Sequence, residues 1–154
     1  MKKCDKMNGV SVIDIKQINT PGEGNLQFFE SGTDFKEFPF DIKRIYYITD
    51  VEKDVCRGGH AHKELKQLLF CPYGNITLML NNTEESEEIQ LDRPNMGVII
   101  SQPVWREMKW NVKNSVLCVA ASDYYYEEDY IRNYDDYMEY MKKNRGCVNI
   151  SASI

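Results

Sequence analysis

The chain of 154 residues contains two histidines, and they stand one residue apart as His60-Ala61-His62. Alternate residues of a strand point to one face, so both imidazoles should project into whatever that strand lines. An unperturbed imidazole has a pKa of about 6.5 and exchanges protons near neutral pH. Two of them on one face can divide an acid-base reaction, one taking a proton from carbon and the other moving a proton between oxygens. Arg57 lies just before the pair and Arg44 on the preceding apolar run. Guanidinium groups there suit a diphosphate or a developing oxyanion. Gly58 and Gly59 mark a bend or a close backbone approach immediately upstream of the histidines.

Such a pair needs a rigid strand to hold it, and the chain reads as strands. Turn signals recur at short spacing: Pro21-Gly22, Ser31-Gly32, Gly58-Gly59, Pro72 to Gly74, Asn81-Asn82, Pro94-Asn95 and Pro103. Between them lie runs rich in β-branched and aromatic residues, at Gly9 to Ile18, Arg44 to Thr49, Gln67 to Cys71, Ile76 to Leu80, Gly97 to Ser101 and Ser115 to Ala120. This pattern predicts an all-β, antiparallel sandwich or barrel. One stretch differs. From Tyr126 to Lys143 the apolar residues fall at helical spacing, acids come first, and Lys142, Lys143 and Arg145 come last. An amphipathic helix is expected over about residues 126–144, stopped at Gly146, with a tail over 148–154.

Composition narrows the function classes. Hydrophobic residues make up 42% and charged residues 28%, a globular balance in a length that suits one domain over 1–154. The net charge of -5 argues against nucleic-acid binding, which needs a basic face. No apolar run is long enough for a membrane span or a secretory signal. The five cysteines are scattered with no CxxC pair, which supports neither a zinc site nor a redox motif. Reduced thiols in a cytoplasmic protein are expected.

The spacing around the histidines resembles the cupin motifs. His62 is followed by four residues, Gln67, six residues and Gly74; later, Gly97 is followed by five residues and Pro103. The resemblance implies a cupin-type jelly roll. It also exposes two departures. Metal cupins place a glutamate where this chain has Gln67, and a third histidine where it offers Trp105, Arg106, Glu107 and Met108. Losing a carboxylate and an imidazole leaves a poor set for a divalent ion, even if Glu64 or Glu107 joined. No metal and no other cofactor are therefore expected.

A closer resemblance spans about Lys43 to Met138. The runs Lys43-Arg44-Ile45-Tyr46-Tyr47-Ile48, Arg57-Gly58-Gly59-His60-Ala61-His62-Lys63, Gln67-Leu68, Pro103-Val104-Trp105-Arg106-Glu107, Ala121-Ser122-Asp123-Tyr124-Tyr125 and Glu128-Asp129-Tyr130-Ile131-Arg132-Asn133-Tyr134 are similar to those of the dTDP-4-keto-6-deoxyglucose 3,4-ketoisomerases. That resemblance implies a metal-free isomerase of deoxyamino-sugar biosynthesis for surface polysaccharides. It implies a homodimer that can exchange N-terminal strands near Gly9 to Ile18. It places His60, His62 and Arg57 in the catalytic set, with a tyrosine from the preceding strand. Tyr46 and Tyr47 point to opposite faces; Tyr47 is the expected catalytic residue, and Tyr46, Arg44, Gln67, Trp105 and Arg106 are expected to bind substrate. Two other readings compete. A nucleotide-sugar epimerase on the same fold usually pairs its histidine with an aspartate, and no partner is visible in the sequence. A non-catalytic sugar-binding cupin usually accompanies a DNA-binding domain.

Overall fold

The computed structural model describes residues 3–30 and 38–151. The turn expected at Ser31-Gly32 and the last residues of the expected tail, Ala152 to Ile154, lie outside them. Among the described residues thirteen strands follow one another: β1 (Lys3–Met7), β2 (Val10–Asp14), β3 (Lys16–Thr20), β4 (Gly24–Phe28), β5 (Arg44–Ile48), β6 (Cys56–His62), β7 (Gln67–Tyr73), β8 (Ile76–Asn81), β9 (Ser86–Leu91), β10 (Met96–Ile100), β11 (Trp105–Trp110), β12 (Val116–Ala121) and β13 (Tyr130–Ile131). They form a six-stranded sheet in the order β1-β2-β10-β7-β12-β5, a five-stranded sheet in the order β13-β6-β11-β8-β9, and the hairpin β3-β4. Neighbours run antiparallel throughout. This is the expected all-β jelly roll with a C-terminal helix.

Alternation decides what enters the space between the sheets. In β8 the residues Ile76, Leu78 and Leu80 are buried while their neighbours are half-buried. They meet Leu69, Val98, Leu117 and Val119 from the facing sheet in the main core. The strand β10 is buried at every position, because its other face is covered too. There Ile13, Leu68 and Ile99 lie under an aromatic layer of Phe29, Phe38, Phe40 and Phe70. The strand expected over Gly9 to Ile18 is divided at Ile15, whose amide bonds the Asn95 carbonyl at 2.7 Å. Its first half pairs with β10 inside the chain.

The helix begins later than the apolar spacing suggests. Residues Glu127–Asp129 form one 3-10 turn, Tyr130 and Ile131 pair with His62 and Ala61, and α1 runs Tyr134–Ser151. Asn133 sets that start, its side-chain oxygen accepting the Asp136 amide at 3.1 Å. The helix continues through Gly146, so the expected stop there is not used and residues 148–151 are helical rather than tail. Tyr137, fully buried, fixes α1 to the five-stranded sheet. Its hydroxyl lies 3.1 Å from the Asn81 carbonyl and 3.0 Å from that of Pro103. It packs with Ala61 and Ile131 on the outer face of β6 and β13. Ala61 thus faces outward, and its neighbours His60 and His62 must face the space between the sheets.

Candidate active site

A cavity of about 380 Å³ opens between the two sheets, floored by the core residues Leu69, Met108, Leu117 and Val119. The six-stranded sheet sends in Arg44, Tyr46 and Gln67; the five-stranded sheet sends in Arg57, His60 and Arg106; Tyr125, Tyr130 and Arg132 close one side. A bulge aims the histidines. His60 pairs with Arg106 and Gly58 with Glu107, so the intervening Gly59 is the extra residue. Gly58 has φ +95, and a Cβ there would meet the Arg106 carbonyl at 2.8 Å. This is the bend and close approach that the glycine pair suggested.

The two imidazoles meet edge to face with centroids 5.0 Å apart, and Tyr130 packs on both. His60 borders the cavity, while His62 is buried behind it. The His62 Nδ1 lies 2.9 Å from Asp129 Oδ2. The other Asp129 oxygen accepts the Glu64 amide at 2.7 Å, which fixes the carboxylate. Burial first, then the Arg106 charge, pushes the pKa of His60 down to about 4 and that of His62 down to about 2. Asp129 would favour an imidazolium at His62, but burial and the charges of Arg106, Arg44 and Arg132 oppose it. Both rings are therefore neutral at pH 7. A carboxylate only accepts, so His62 donates its Nδ1 proton to Asp129 and keeps a lone pair on Nε2. That Nε2 is buried and has no protein partner among the described residues.

Arg106 is buried, which lowers its pKa to about 10 and still leaves it charged at neutral pH. Its Nε and Nη2 donate to the Val104 carbonyl at 3.2 and 3.0 Å, and its Nη1 donates to Gln67 Oε1. Gln67 Nε2 in turn donates to the Tyr46 hydroxyl at 3.0 Å. Burial raises the Tyr46 pKa and keeps the phenol protonated. Arg44 lies between the Tyr46 and Tyr125 rings, at 5.4 and 5.7 Å, with its Nε buried and without a hydrogen-bond partner among the described residues. Arg132 sits 4.2 Å over the Tyr130 ring and pairs with Glu127.

Six of the expected site residues, Arg44, Tyr46, Arg57, His60, Gln67 and Arg106, line this cavity, and His62 adjoins it. Two expectations are corrected. Tyr47 lies on the opposite face of β5 and is 69% exposed, so of the two neighbours Tyr46 is the one that lines the cavity. Trp105 alternates with the inward Arg106 and packs outside, edge to face with Tyr134 at 5.2 Å. The reading that His62 has no acidic partner is also overturned, because Asp129 supplies one. Asp129, Tyr130 and Arg132 belong to a run that carries the family resemblance but have no expected site role, because the apolar spacing predicts a helix there; the pairing of Tyr130 with His62 brings them in. For a metal, Glu64 and Glu107 face other surface hollows. Among the described residues no three His, Cys, Asp or Glu side chains converge.

These pKa shifts set a sign. Both histidines titrate lower in the folded chain than in the unfolded one, so the unfolded chain binds more protons between about pH 6.5 and 4. Stability should fall as pH drops through that window. Nitrogen-15 NMR at pH 5.5 should show two neutral imidazoles, assignable because the chain has no others. Imidazolium shifts at that pH would refute the neutral pair.

Comparison with known proteins agrees with this geometry. The family model described as FdtA: WxcM-like, C-terminal matches residues 8–142. A TDP-4-oxo-6-deoxy-α-D-glucose 3,4-oxoisomerase of Aneurinibacillus thermoaerophilus is 42% identical over 132 residues, covering 86% of this chain and 92% of the relative. The crystal structure of a sugar 3,4-ketoisomerase from Thermoanaerobacterium thermosaccharolyticum in complex with TDP superposes with a TM-score of 0.83 at 43% identity, over 90% of this chain and 98% of that one. A 3,4-ketoisomerase from Helicobacter canadensis gives a TM-score of 0.80 at 40% identity, over 86% and 97%. The epimerase of Mycobacterium tuberculosis shares the fold, with a TM-score of 0.73, at only 14% identity. With relatives this similar over nearly their whole length, the chain belongs to the TDP-4-oxo-6-deoxyglucose 3,4-ketoisomerase family.

Proposed function

We propose that the protein converts a TDP-linked 4-keto-6-deoxyhexose into its 3-keto isomer by proton transfer through an enediolate. The observation that carries this reading is the neutral imidazole pair, 5.0 Å apart at the wall of an arginine-lined cavity. The C3 proton of a 4-keto sugar is acidified by the adjacent carbonyl. His60, which borders the cavity, removes it and leaves an enediolate across C3 and C4. The positive charges of Arg106 and Arg44 stabilise the negative oxygens. The O3 proton passes to O4, a transfer suited to the His62 Nε2 lone pair and the Tyr46 hydroxyl. The proton held by His60, or one it has exchanged with solvent, is then delivered to C4, which returns His60 to its neutral form and completes the isomer. Protons are only moved, so neither a metal nor a redox cofactor is required. Arg57, at the exposed side of the cavity, suits the diphosphate.

The epimerase reading uses the same proton abstraction, and the His62–Asp129 pair removes one argument against it. Identity of 28 to 43% to ketoisomerases, against 14 and 18% to epimerases, supports ketoisomerisation. We also propose a cytoplasmic homodimer. The hairpin β3-β4 stands apart from both sheets and is exposed over most of its length, which makes it the better candidate for exchange than β2. Free Cys4, Cys56, Cys71 and Cys118 agree with a reducing compartment. No helix among the described residues is long and apolar enough to cross a membrane.

Four outcomes are expected. His60→Asn and His62→Asn should each lower kcat by about 10²-fold or more. With TDP-4-keto-6-deoxyglucose in deuterated buffer, His60→Asn should stop exchange at C3 while His62→Asn retains it, read by proton NMR; near wild-type turnover in both variants would sink the mechanism. Chelator-treated protein should keep its activity, and recovery only on adding a divalent ion would contradict metal independence. Sedimentation at micromolar concentration should give a dimer; a monomer there would count against exchange of the hairpin.

A further inference from the structure

Arg106 decides which way the Gln67 amide faces. A guanidinium carries only N–H donors, so the atom it bonds on Gln67 must be the carbonyl oxygen. The amide nitrogen is then turned to Tyr46, 3.0 Å from its hydroxyl. That nitrogen has protons to give and no lone pair to offer. Tyr46 is therefore the acceptor in this bond, and its own proton must point elsewhere. Among the described residues no protein group accepts it. The strands hold this geometry rigidly. Both β5 and β7 pair with β12, with Tyr46 opposite Val119 and Gln67 opposite Ala121, and Arg106 reaches across from the facing sheet. The free proton of Tyr46 is left to the cavity that the phenol lines.

We propose that Gln67 is a positioning residue: by donating to the Tyr46 oxygen, it forces the Tyr46 hydroxyl to act as a hydrogen-bond donor toward the substrate oxygens. This rests on the ketoisomerase reading. The choice of glutamine over glutamate then has a chemical reason. A carboxylate at position 67 would still accept from Arg106, but it would also accept the Tyr46 proton and turn it away from the substrate. The amide permits one orientation and the carboxylate imposes the other.

Gln67→Glu separates this role from a merely structural one, since glutamate has the same size and holds Arg106 at least as well. In Q67E, kcat for TDP-4-keto-6-deoxyglucose should fall about tenfold or more, the range of a lost acid-base contribution, while TDP affinity stays within about twofold. In a Tyr46→Phe background, which has no phenol proton to orient, the same change should cost less than about twofold further. Should Q67E fail to fold, Gln67→Met, which neither donates nor accepts, is read against Tyr46→Phe in the same cycle. The proposal is overturned if Q67E turns over within about twofold of wild type, or if the loss in the Tyr46→Phe background equals that in wild type. An inactive wild-type protein would instead bring down the ketoisomerase reading, and this inference with it, before any variant is compared.

Discussion

The cavity depends on the burial of one charge, the Arg106 guanidinium. Moving such an ion out of water costs several kcal/mol unless its protons find acceptors. The chain provides neutral ones, the Val104 carbonyl twice and the Gln67 carbonyl once. Among the described residues no carboxylate bonds to it, and its field is only partly offset by the nearby Asp129 charge. That field reaches both imidazoles and is the second cause, after burial, of their lowered pKa values. The same bonds orient Gln67, and through it Tyr46. One buried cation thus adds to burial in keeping both imidazoles unprotonated, and through Gln67 it orients the Tyr46 hydroxyl.

Backbone geometry serves that arrangement. The extra residue at Gly59 lets β6 bulge beside β11, which brings His60 opposite Arg106 rather than past it. The pairing of β13 with the end of β6 then carries Asp129 to His62 and Tyr130 against both rings. Without this short strand His62 would lie buried with neither nitrogen bonded. Its tautomer would then be free to change. The tie to Asp129 leaves one defined lone pair, and α1, anchored by Tyr137, covers the outer face of the same strand pair.

The sequence made the strands, the paired histidines, the glycine bend and the cavity arginines legible, because each follows from two-residue alternation or from spacing. Alternation states that neighbours face apart, yet not which of them faces in. Tyr46 is inward because it lies in register with Val119 and Leu69, which belong to the core. For Trp105 the rule was sufficient: once Arg106 faces inward, its neighbour must face outward. Asp129 is a different case. It lies 67 residues from His62 and reaches it through a two-residue strand, where tyrosines at helical spacing suggested a helix. Asn133, with an aspartate three residues on, was the local signal for the later helix start.

The balance of charge joins fold to chemistry. The chain as a whole is acidic, at -5, yet Arg44, Arg57, Arg106 and Arg132 all border one cavity. Among the described residues, Arg132 is the one of these four in an ion pair, with the exposed Glu127. The resulting positive field acts on three things at once. In the proposed reaction it would draw in a nucleotide diphosphate and stabilise an enediolate more than the neutral ketone, and it adds to burial in keeping the imidazoles in the basic form. A divalent ion could supply the second effect, but it would engage the histidine lone pairs in doing so. Fixed arginines leave those lone pairs available. On the proposed function, Gln67 in place of a ligand carboxylate and Arg106 in the motif where metal cupins carry a third histidine would together make this wall a proton-transfer surface rather than a metal-binding one.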